Sequence, residues 1–406
     1  MDAASYRYGS KAFKYRQGLL GDMVKKIHSD VAVIGGGVIG SSVGYWLSKK
    51  GFDTVLLEKK TPASGASGSC DGFIFLQSKK DTSLTALAKE SISLFKYIKD
   101  RMPLDIEFEE CGGMVLFKDR ESLQSFLDGC PVRDSVKILE GKDITRYEKK
   151  VSKRIKFATL NISECQINPL NLNLALIEAA VSAGLRLLKK TPVERFDVSG
   201  GRVEAIYAGK DIKIIPRYTV LCAGAWTGII AQKLGLDIPV IPRKGMIAVT
   251  EEMPVSVGHV ILDYDYICCK FEGGSRSGFS IEQTSNGNIL LGSTRQFAGF
   301  DTDIDIRELS TFVKNAILIF PFLKEVSVIR TFAGLRPYSS TGLPIIGPSS
   351  VYEDLFIASG HEGDGIALSP VTGDIIARMI TQISSGKKTS TAYKGISLEG
   401  LLPAGF

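Results

Sequence analysis

The stretch Asp30-Val-Ala-Val-Ile-Gly-Gly-Gly-Val-Ile-Gly-Ser-Ser-Val-Gly44 decides the fold of this chain. It opens with a short apolar run, 31–34, of the kind that forms a parallel strand buried on both faces. Gly35, Gly37 and Gly40 follow with the spacing GxGxxG. One glycine permits a tight turn, one lets the backbone approach a pyrophosphate, and one lets the next helix pack against the strand. The pattern predicts a strand, a phosphate-binding turn and a helix.

A second strand and an acidic residue follow with the spacing of a dinucleotide-binding domain. After a helix predicted over 38–50, residues 54–57 form another apolar run, and Glu58 comes directly after it. Glu58 is 18 residues beyond Gly40, close to the roughly 20 expected for a carboxylate that accepts hydrogen bonds from a ribose. A carboxylate at this place favours an unphosphorylated ribose. We therefore predict a Rossmann-type dinucleotide-binding domain.

Length, charge and cysteine usage exclude several classes of protein. The 406 residues suggest two domains, and no apolar run approaches the roughly 20 residues of a membrane span. The net charge is +6, but Lys and Arg are scattered, so we expect no nucleic-acid partner. The seven cysteines are odd in number and lack metal-ligand spacing, which predicts neither a disulfide framework nor a metal site. We expect a cytoplasmic protein.

Further motifs lie along the chain after Glu58. They are the small-residue loop 61–72 (TPASGASGSCDG), 219–226 (TVLCAGAW), 241–250 (IPRKGMIAVT), 333–347 (AGLRPYSSTGLPIIG) and 355–370 (LFIASGHEGDGIALSP). With the glycine turn, these motifs resemble the D-amino-acid oxidase superfamily of FAD-dependent oxidoreductases. The branch is that of glycine oxidase, sarcosine oxidase, the dye-linked proline dehydrogenase beta subunit, opine oxidase and hydrogen cyanide synthase subunits. The resemblance covers about residues 30–384.

The resemblance and the strand pattern together imply an α/β fold. We predict a Rossmann-type FAD-binding domain with an inserted, mainly antiparallel-sheet substrate domain. The predicted segments are an N-terminal arm over 1–29, an FAD-binding domain over 30–100, 155–240 and 330–406, and a substrate-binding domain over 100–155 and 240–330.

The resemblance implies FAD as the cofactor. We expect it to be bound without a covalent link, because Arg336 stands where monomeric sarcosine oxidase has its flavin-linking cysteine. The residues predicted to bind it are Gly35, Gly37, Val38, Ile39, Gly40, Glu58, Lys59, Ser64, Ala66, Ser67, Val193, Ala223, Gly224, Trp226, Arg336, Gly363, Asp364, Gly365 and Ile366.

Arg336 is also the leading candidate for substrate binding. The resemblance implies that its guanidinium pairs with a substrate carboxylate through two parallel hydrogen bonds, a geometry that lysine does not provide. Tyr338 is predicted near the flavin, Tyr266 or Tyr264 over the substrate, and His361 in a polar or proton-handling role. The weaker candidates are Lys244 and Arg295 as cations for an acidic substrate and Asp71 as a group that positions an amine.

The expected reaction is oxidation of the carbon–nitrogen bond of an amino or imino acid, in which hydride leaves the alpha carbon and an imine forms. The segment 362–364 (EGD) departs from the Arg-Asn pair of glycine oxidase, which argues against simple glycine oxidation. Two alternatives stay open: oxidation of a hydroxy substrate such as glycerol 3-phosphate or a 2-hydroxy acid, and a non-catalytic FAD-binding subunit. The expected partners are a small-molecule substrate, partner redox subunits and further copies of the chain.

Overall fold

The computed structural model describes residues 25–271 and 278–406. Its helices are α1 (Val38–Lys49), α2 (Thr82–Ile98), α3 (Arg120–Asp128), α4 (Lys142–Tyr147), α5 (Pro169–Ser182), α6 (Thr227–Gln232), α7 (Tyr264–Phe271), α8 (Ile306–Ile319) and α9 (Gly365–Ser384). Its strands are β1 (Lys25–Ile34), β2 (Thr54–Leu57), β3 (Phe73–Ile74), β4 (Gly113–Phe117), β5 (Lys137–Glu140), β6 (Phe157–Asn161), β7 (Cys165–Gln166), β8 (Arg186–Leu188), β9 (Val193–Ser199), β10 (Arg202–Ala208), β11 (Ile212–Leu221), β12 (Val240–Glu252), β13 (Val260–Asp263), β14 (Ser280–Gln283), β15 (Asn288–Gly292), β16 (Val328–Ser339), β17 (Ile345–Pro348), β18 (Leu355–Ser359), β19 (Ala392–Tyr393) and β20 (Ile396–Ser397).

The first large sheet has the order β17-β18-β11-β1-β2-β8, with β10 paired to β11 and β9 to β10. The strands β18, β11, β1, β2 and β8 run parallel to one another, and β17 is antiparallel to β18. Helix α1 connects β1 to β2 and packs against α5 and α9. This parallel sheet with crossover helices confirms the predicted Rossmann-type fold class. The carboxyl ends of β1, β2 and β11 meet at one edge of the sheet.

Strand β1 begins earlier than the apolar run predicted. The arm was predicted over 1–29, but β1 starts at Lys25 and pairs in parallel with β11, Lys25 lying opposite Ile212. Ile27 and Ser29 are buried in this first half, while Lys25, Lys26 and His28 are exposed. The half-buried alternation has a strand period that a search for continuous apolar runs overlooks. Residues 1–24 of the predicted arm lie outside the described residues.

The second large sheet has the order β16-β12-β15-β14-β13-β4-β6-β5. Its neighbours are antiparallel, except that β13 runs parallel to β4. The predicted mainly antiparallel sheet is therefore present. The parallel pair arises because β4 comes from the earlier chain segment and β13 from the later one, so no hairpin connects them.

Two strands do not follow the predicted domain boundaries. Strand β6 and the part of β16 over 330–339 belong to the second sheet, although both were predicted in FAD-binding segments. The reason for β16 is its long pairing with β12, from Val240 opposite Ser339 to Thr250 opposite Val328. Arg336 thus stands on the second sheet. The domain division itself stays a prediction.

The tyrosines Tyr264 and Tyr266 lie in helix α7. Strand β13 ends at Asp263, and the chain turns into α7 directly after it. Within the described residues, we find no helix that is both long and apolar enough to cross a membrane.

Candidate active site

The glycine turn after β1 is built by close backbone contacts. Gly35 has a φ of +113°, and a Cβ atom on it would lie 2.3 Å from the carbonyl oxygen of Cys222, just past β11. A Cβ atom on Gly40 would lie 1.9 Å from the carbonyl oxygen of Gly35. Real side chains do not approach a backbone atom this closely, so both positions require glycine. The turn therefore fixes the start of α1 at the edge where β1 and β11 end.

The N-terminus of α1 opens into a cleft. Its N-cap residue Gly37 provides no side-chain hydrogen bond, and the backbone NH of Val38 donates to Ser67 Oγ at 2.9 Å. Gly37, Val38 and Ile39 line the cleft. The first backbone NH groups of a helix and its dipole favour an anion at this place. This wall of the cleft is suited to phosphate.

Glu58 stands in the cleft wall directly after β2 and is 7% exposed. Its Oε2 accepts a hydrogen bond from the backbone NH of Gly36 at 2.8 Å, and its Oε1 accepts one from the backbone NH of Lys60 at 2.7 Å. Each carboxylate oxygen has two lone pairs. The carboxylate is thus fixed by the backbone and can still accept hydroxyl groups.

Trp226 and Val193 line the cleft near Glu58. The Lys59 Nζ lies 3.1 Å from the centroid of the Trp226 ring, and the Phe300 ring lies 5.3 Å from it. Strand β9 with Val193 is joined to Glu58 through Thr191, whose backbone NH donates to the Glu58 carbonyl at 2.9 Å. This apolar wall beside a ribose-binding carboxylate suits an aromatic base.

The segment from Gly360 to Ile366, which follows β18 and includes the first two residues of α9, forms another wall of the cleft. Asp364 in this loop accepts hydrogen bonds from Lys79 Nζ at 2.9 Å and Lys270 Nζ at 2.8 Å. Burial opposes ionisation of Asp364, but the Lys270 and Lys79 ammonium groups outweigh it and hold the pKa of that carboxyl well below its usual range. The loop is therefore held in place by an ionised carboxylate between two lysines.

His361 is 2% exposed, and its Nε2 lies 3.0 Å from Thr372 Oγ1 in α9. Its Nδ1 is buried without a hydrogen-bond partner among the described residues. Burial lowers the pKa of His361 to about 4, so the imidazole is neutral at neutral pH. Because this folded-state pKa lies below that of an unfolded histidine, protonation of His361 favours the unfolded state. The neutral imidazole therefore contributes fully to the free energy of unfolding above about pH 6.5, and this contribution is lost as the pH falls toward 4.

Arg336 projects from β16 across the backbone of β12. Its Nη1 donates to the carbonyl oxygen of Thr294 at 2.9 Å, and its Nη2 donates to Ser293 Oγ at 2.6 Å. A Cβ atom on Gly245 would lie 2.0 Å from Nη1, so the glycine makes room for the guanidinium. Each terminal nitrogen of the guanidinium carries two N–H groups. These bonds use one of them on Nη1 and one on Nη2, so a second N–H group remains on each nitrogen. Arg336 lines the cleft.

Arg295 brings a second guanidinium to the same wall, and its side chain is 5% exposed. It lies 4.3 Å over the ring of Tyr266, and its Nε donates to Glu362 Oε1 at 3.3 Å. Glu362 also lies 3.5 Å from Arg243 Nη1. Burial opposes ionisation of Glu362, but the charges led by Arg295 and Arg336 lower its pKa. Glu362 is thus an anion shared among arginines.

The predicted site residues converge on one cleft, whose empty volume is about 1850 Å³ when the open space at its mouth is counted. Those that line it are Gly35, Gly37, Val38, Ile39, Glu58, Lys59, Ser64, Ala66, Ser67, Val193, Ala223, Gly224, Trp226, Tyr266, Arg336, His361, Gly363, Asp364, Gly365 and Ile366.

Gly40 and Tyr338 are not part of this lining. Gly40 packs against the turn instead. The Tyr338 ring lies 5.1 Å from the Phe297 ring and 5.1 Å from the Arg243 guanidinium. A place for Tyr338 near the flavin stays a prediction.

The sequence analysis missed or undervalued several charged residues around the cleft. Lys79 and Lys270 had no motif to reveal them, since their common partner Asp364 is distant in sequence. Glu282 is buried in strand β14, whose sequence Ser-Ile-Glu-Gln is mostly polar and gave no signal that this carboxylate is buried. The candidate Lys244 does not line the cleft and instead forms an ion pair with Asp301 at 2.5 Å.

The side chains and backbone of this cleft fit an FAD. Glycine backbone and a helix N-terminus suit the pyrophosphate, and the fixed carboxylate of Glu58 suits a ribose. The glycine-rich segment 360–366 lines the cleft, and its buried His361 Nδ1 has no hydrogen-bond partner in the part of the chain that the structure describes. Each feature is a polar group that a flavin dinucleotide could satisfy.

Comparison with known proteins agrees with this geometry. The chain is 28% identical to hydrogen cyanide synthase subunit HcnC of Pseudomonas aeruginosa, over 86% of this chain and 92% of that protein. The structure of glycine oxidase from Geobacillus kaustophilus is 25% identical and superposes with a TM-score of 0.80, over 92% of this chain and 98% of that chain. L-proline dehydrogenase from P. horikoshii shares the fold, with a TM-score of 0.81 at 22% identity over 90% of this chain and 95% of that chain.

The family model described as FAD dependent oxidoreductase matches residues 30–379. This range includes the glycine turn, Glu58, Arg336 and the loop before α9. It confirms the resemblance inferred from the sequence motifs. The chain belongs to the family of FAD-dependent oxidoreductases.

Proposed function

We propose that this protein oxidises the carbon–nitrogen bond of an amino or imino acid, removing hydride from the alpha carbon and giving an imine that water hydrolyses. The observation that carries the proposal is the Arg336 guanidinium, held at the cleft by Thr294 and Ser293 with an N–H group left on each terminal nitrogen. Two such donors match the two oxygens of a carboxylate. Glycine oxidase and L-proline dehydrogenase, by their names, act on amino or imino acids.

In this proposal the cofactor is held by residues on three walls. The glycine turn and the start of α1 bind the pyrophosphate, Glu58 accepts hydroxyl hydrogens of the ribose, and Trp226 and Val193 cover the adenine. The loop before α9 supplies backbone NH groups near the flavin ring. When bound, FAD supplies a two-electron oxidant that takes up hydride. The protein's own task is to orient the substrate, exclude water and accept protons.

His361 is a weak base in this cleft because burial lowers its pKa to about 4. We therefore propose that it acts as a neutral hydrogen-bonding group toward the cofactor. Oxidation of an alcohol needs a well-placed base to take the hydroxyl proton, whereas a neutral amine expels hydride with the help of its own lone pair. A histidine of such low basicity favours an amine substrate over a hydroxy acid.

The test of the proposal is anaerobic bleaching of the FAD-loaded enzyme by separate amino acids, imino acids, opines and hydroxy acids. Rapid loss of flavin absorbance with an amino or imino acid is the expected result. Bleaching by glycerol 3-phosphate or a 2-hydroxy acid alone would favour the hydroxy-substrate alternative. A flavin that none of the four classes bleaches would favour a non-catalytic FAD-binding subunit.

FAD is expected to be bound without a covalent bond. The cysteine that reacts with flavin in monomeric sarcosine oxidase is replaced here by Arg336, and a guanidinium forms no such link. Acid precipitation of the protein should leave the yellow chromophore in the supernatant. Flavin that stays with the washed protein pellet would contradict this expectation.

Replacing Glu58 with glutamine is expected to weaken FAD binding by roughly 10- to 100-fold, because a hydrogen bond to a charged acceptor contributes about 1.5 to 3 kcal/mol. Flavin reduction in the fraction that retains FAD should change little, since the ribose is remote from the reacting atoms. The measurement is FAD release on dilution, with Glu194→Gln on the exposed side of β9 as the control. Equal retention in the variant and the parent would mean that Glu58 does not bind the ribose.

Electron transfer to partner redox subunits, self-association and a cytoplasmic location stay predictions. HcnC is by its name a subunit of a larger enzyme, which supports the first of them. Copurification of the chain from its native cell, followed by size measurement, tests the first two, and cell fractionation tests the third. A lone monomer that passes electrons directly to oxygen would contradict the first two.

A further inference from the structure

Two carboxyl groups, Asp71 and Glu282, stand beside Arg336. The backbone NH of Gly72 donates to Glu282 Oε1 at 3.0 Å, which joins the loop after Glu58 to β14. A Cβ atom on Gly292 would lie 3.8 Å from Asp71 Oδ2. Gly292 directly precedes Ser293, which binds the Arg336 guanidinium. Asp71 and Arg336 both line the cleft.

The same loop also touches β16 close to Arg336. A Cβ atom on Gly334 would lie 2.4 Å from the carbonyl oxygen of Ser69, so the loop backbone lies directly on the strand. Arg336 follows Gly334 by two residues and points to the same face. Asp71 is thus fixed between β15 and β16, on the side of the sheet from which Arg336 enters the cleft.

Asp71 is the member of the pair that faces two guanidinium groups. The groups that face it are Arg336 on β16, Arg295 after β15, Glu362 in the loop before α9, Glu282 on β14 and the adjacent Cys70. Burial raises the pKa of Asp71, and Arg336 and Arg295 oppose this rise. Burial and the charge of Asp71 raise the pKa of Glu282 well above its usual range. The two arginines thus favour the anionic form of Asp71, and burial beside that carboxyl group favours the protonated form of Glu282.

We propose that Asp71 binds the substrate ammonium group while Arg336 binds its carboxylate, and that Asp71 accepts one ammonium proton before oxidation. This rests on the proposed function. An amino acid carries its two opposite charges on adjacent groups, so the ammonium needs an anion close to Arg336. Glu362 is shared by two arginines and Asp364 by two lysines. Asp71 has no such fixed partner recorded within the described residues.

The proton step is balanced within the site. One N–H bond of the ammonium breaks, an O–H bond forms on the Asp71 carboxylate, and the electron pair stays on nitrogen. That lone pair then assists departure of hydride from the alpha carbon. His361, with a pKa of about 4, and the protonated Glu282 are poor acceptors for this proton.

The first experiment measures binding of two inert probes to the FAD-loaded enzyme through the change in flavin absorbance. 2-Aminoisobutyrate has no alpha hydrogen, and pivalate replaces its ammonium with a methyl group of similar size. Asp71→Asn is expected to weaken binding of 2-aminoisobutyrate by roughly 10- to 100-fold while pivalate binds as tightly as before or more tightly. The control is Glu109→Gln. This substitution removes a carboxylate that lies on the other side of the loop 61–72, which carries Asp71. A variant with the parent's preference between the probes overturns the proposal.

The second experiment follows anaerobic flavin reduction against pH with the amino acid that bleaches the parent fastest. Asp71→Asn should lose roughly 100-fold in rate at pH 7, the lower range for a general base, and recover at pH values above the pKa of the free amine. Asp71→Glu, which keeps the charge, should restore part of the rate at pH 7. An unchanged pH profile in Asp71→Asn overturns the role of Asp71 alone. A parent flavin that no amino or imino acid reduces overturns the proposed function as well.

Discussion

Arg336→Ala is expected to cost about 3 to 5 kcal/mol of transition-state stabilisation, or roughly two to four decades in flavin reduction by the best amino acid. The guanidinium is half-buried at the cleft wall, where its bonds to Thr294 and Ser293 fix the plane of the remaining N–H groups. Removing it leaves a substrate carboxylate without a partner and lets the alpha carbon move out of position. Stopped-flow reduction under anaerobic conditions measures the loss.

Arg336→Lys separates charge from geometry. Lysine keeps the positive charge but offers one point of attachment, so both substrate affinity and reduction rate should fall, though less than in the alanine variant. FAD content should stay near that of the parent in both variants. Arg330→Ala, an exposed position on the same strand, should change neither. Parent-like affinity and rate in Arg336→Ala would exclude the carboxylate role and point to a substrate without a carboxylate.

Gly40→Ala is expected to lower the free energy of unfolding by about 3 kcal/mol and to abolish FAD retention. The added Cβ atom would lie 1.9 Å from the carbonyl oxygen of Gly35, a backbone atom with no rotamer to change. Helix α1 would have to move away from β1, against its packing on α5 and α9. Denaturant unfolding of the protein without cofactor, together with flavin absorbance per chain, measures both effects.

Gly37→Ala is the matched substitution in the same motif. Its Cβ atom would meet only Ser67 Oγ, at 3.2 Å, and that side chain can turn away. We expect little loss of stability without cofactor but a clear loss of FAD affinity, because the methyl group stands where the pyrophosphate approaches the backbone. If both glycine variants lost the same stability, or if Gly40→Ala unfolded like the parent, the separate tasks of the two glycines would be wrong.

The sequence determined the fold class, the family and the glycine turn, because these depend on local backbone requirements. A turn that brings a helix onto a strand end demands glycine at Gly35 and Gly40, and the carboxylate that we propose for the ribose stands directly after the second strand, at Glu58. Such requirements act within a few tens of residues, so they leave a pattern of fixed spacing that can be read without the tertiary structure.

Only the tertiary structure decided the substrate side of the cleft. Asp71, Arg295 and Glu362 are distant in the sequence, and their meeting depends on how the loop after Glu58, the second sheet and the loop before α9 pack together. The same packing held Lys244 to Asp301. Distances and burial in the folded protein decide which charge is paired and which is left for a ligand. The spacing of residues along the chain does not reveal either.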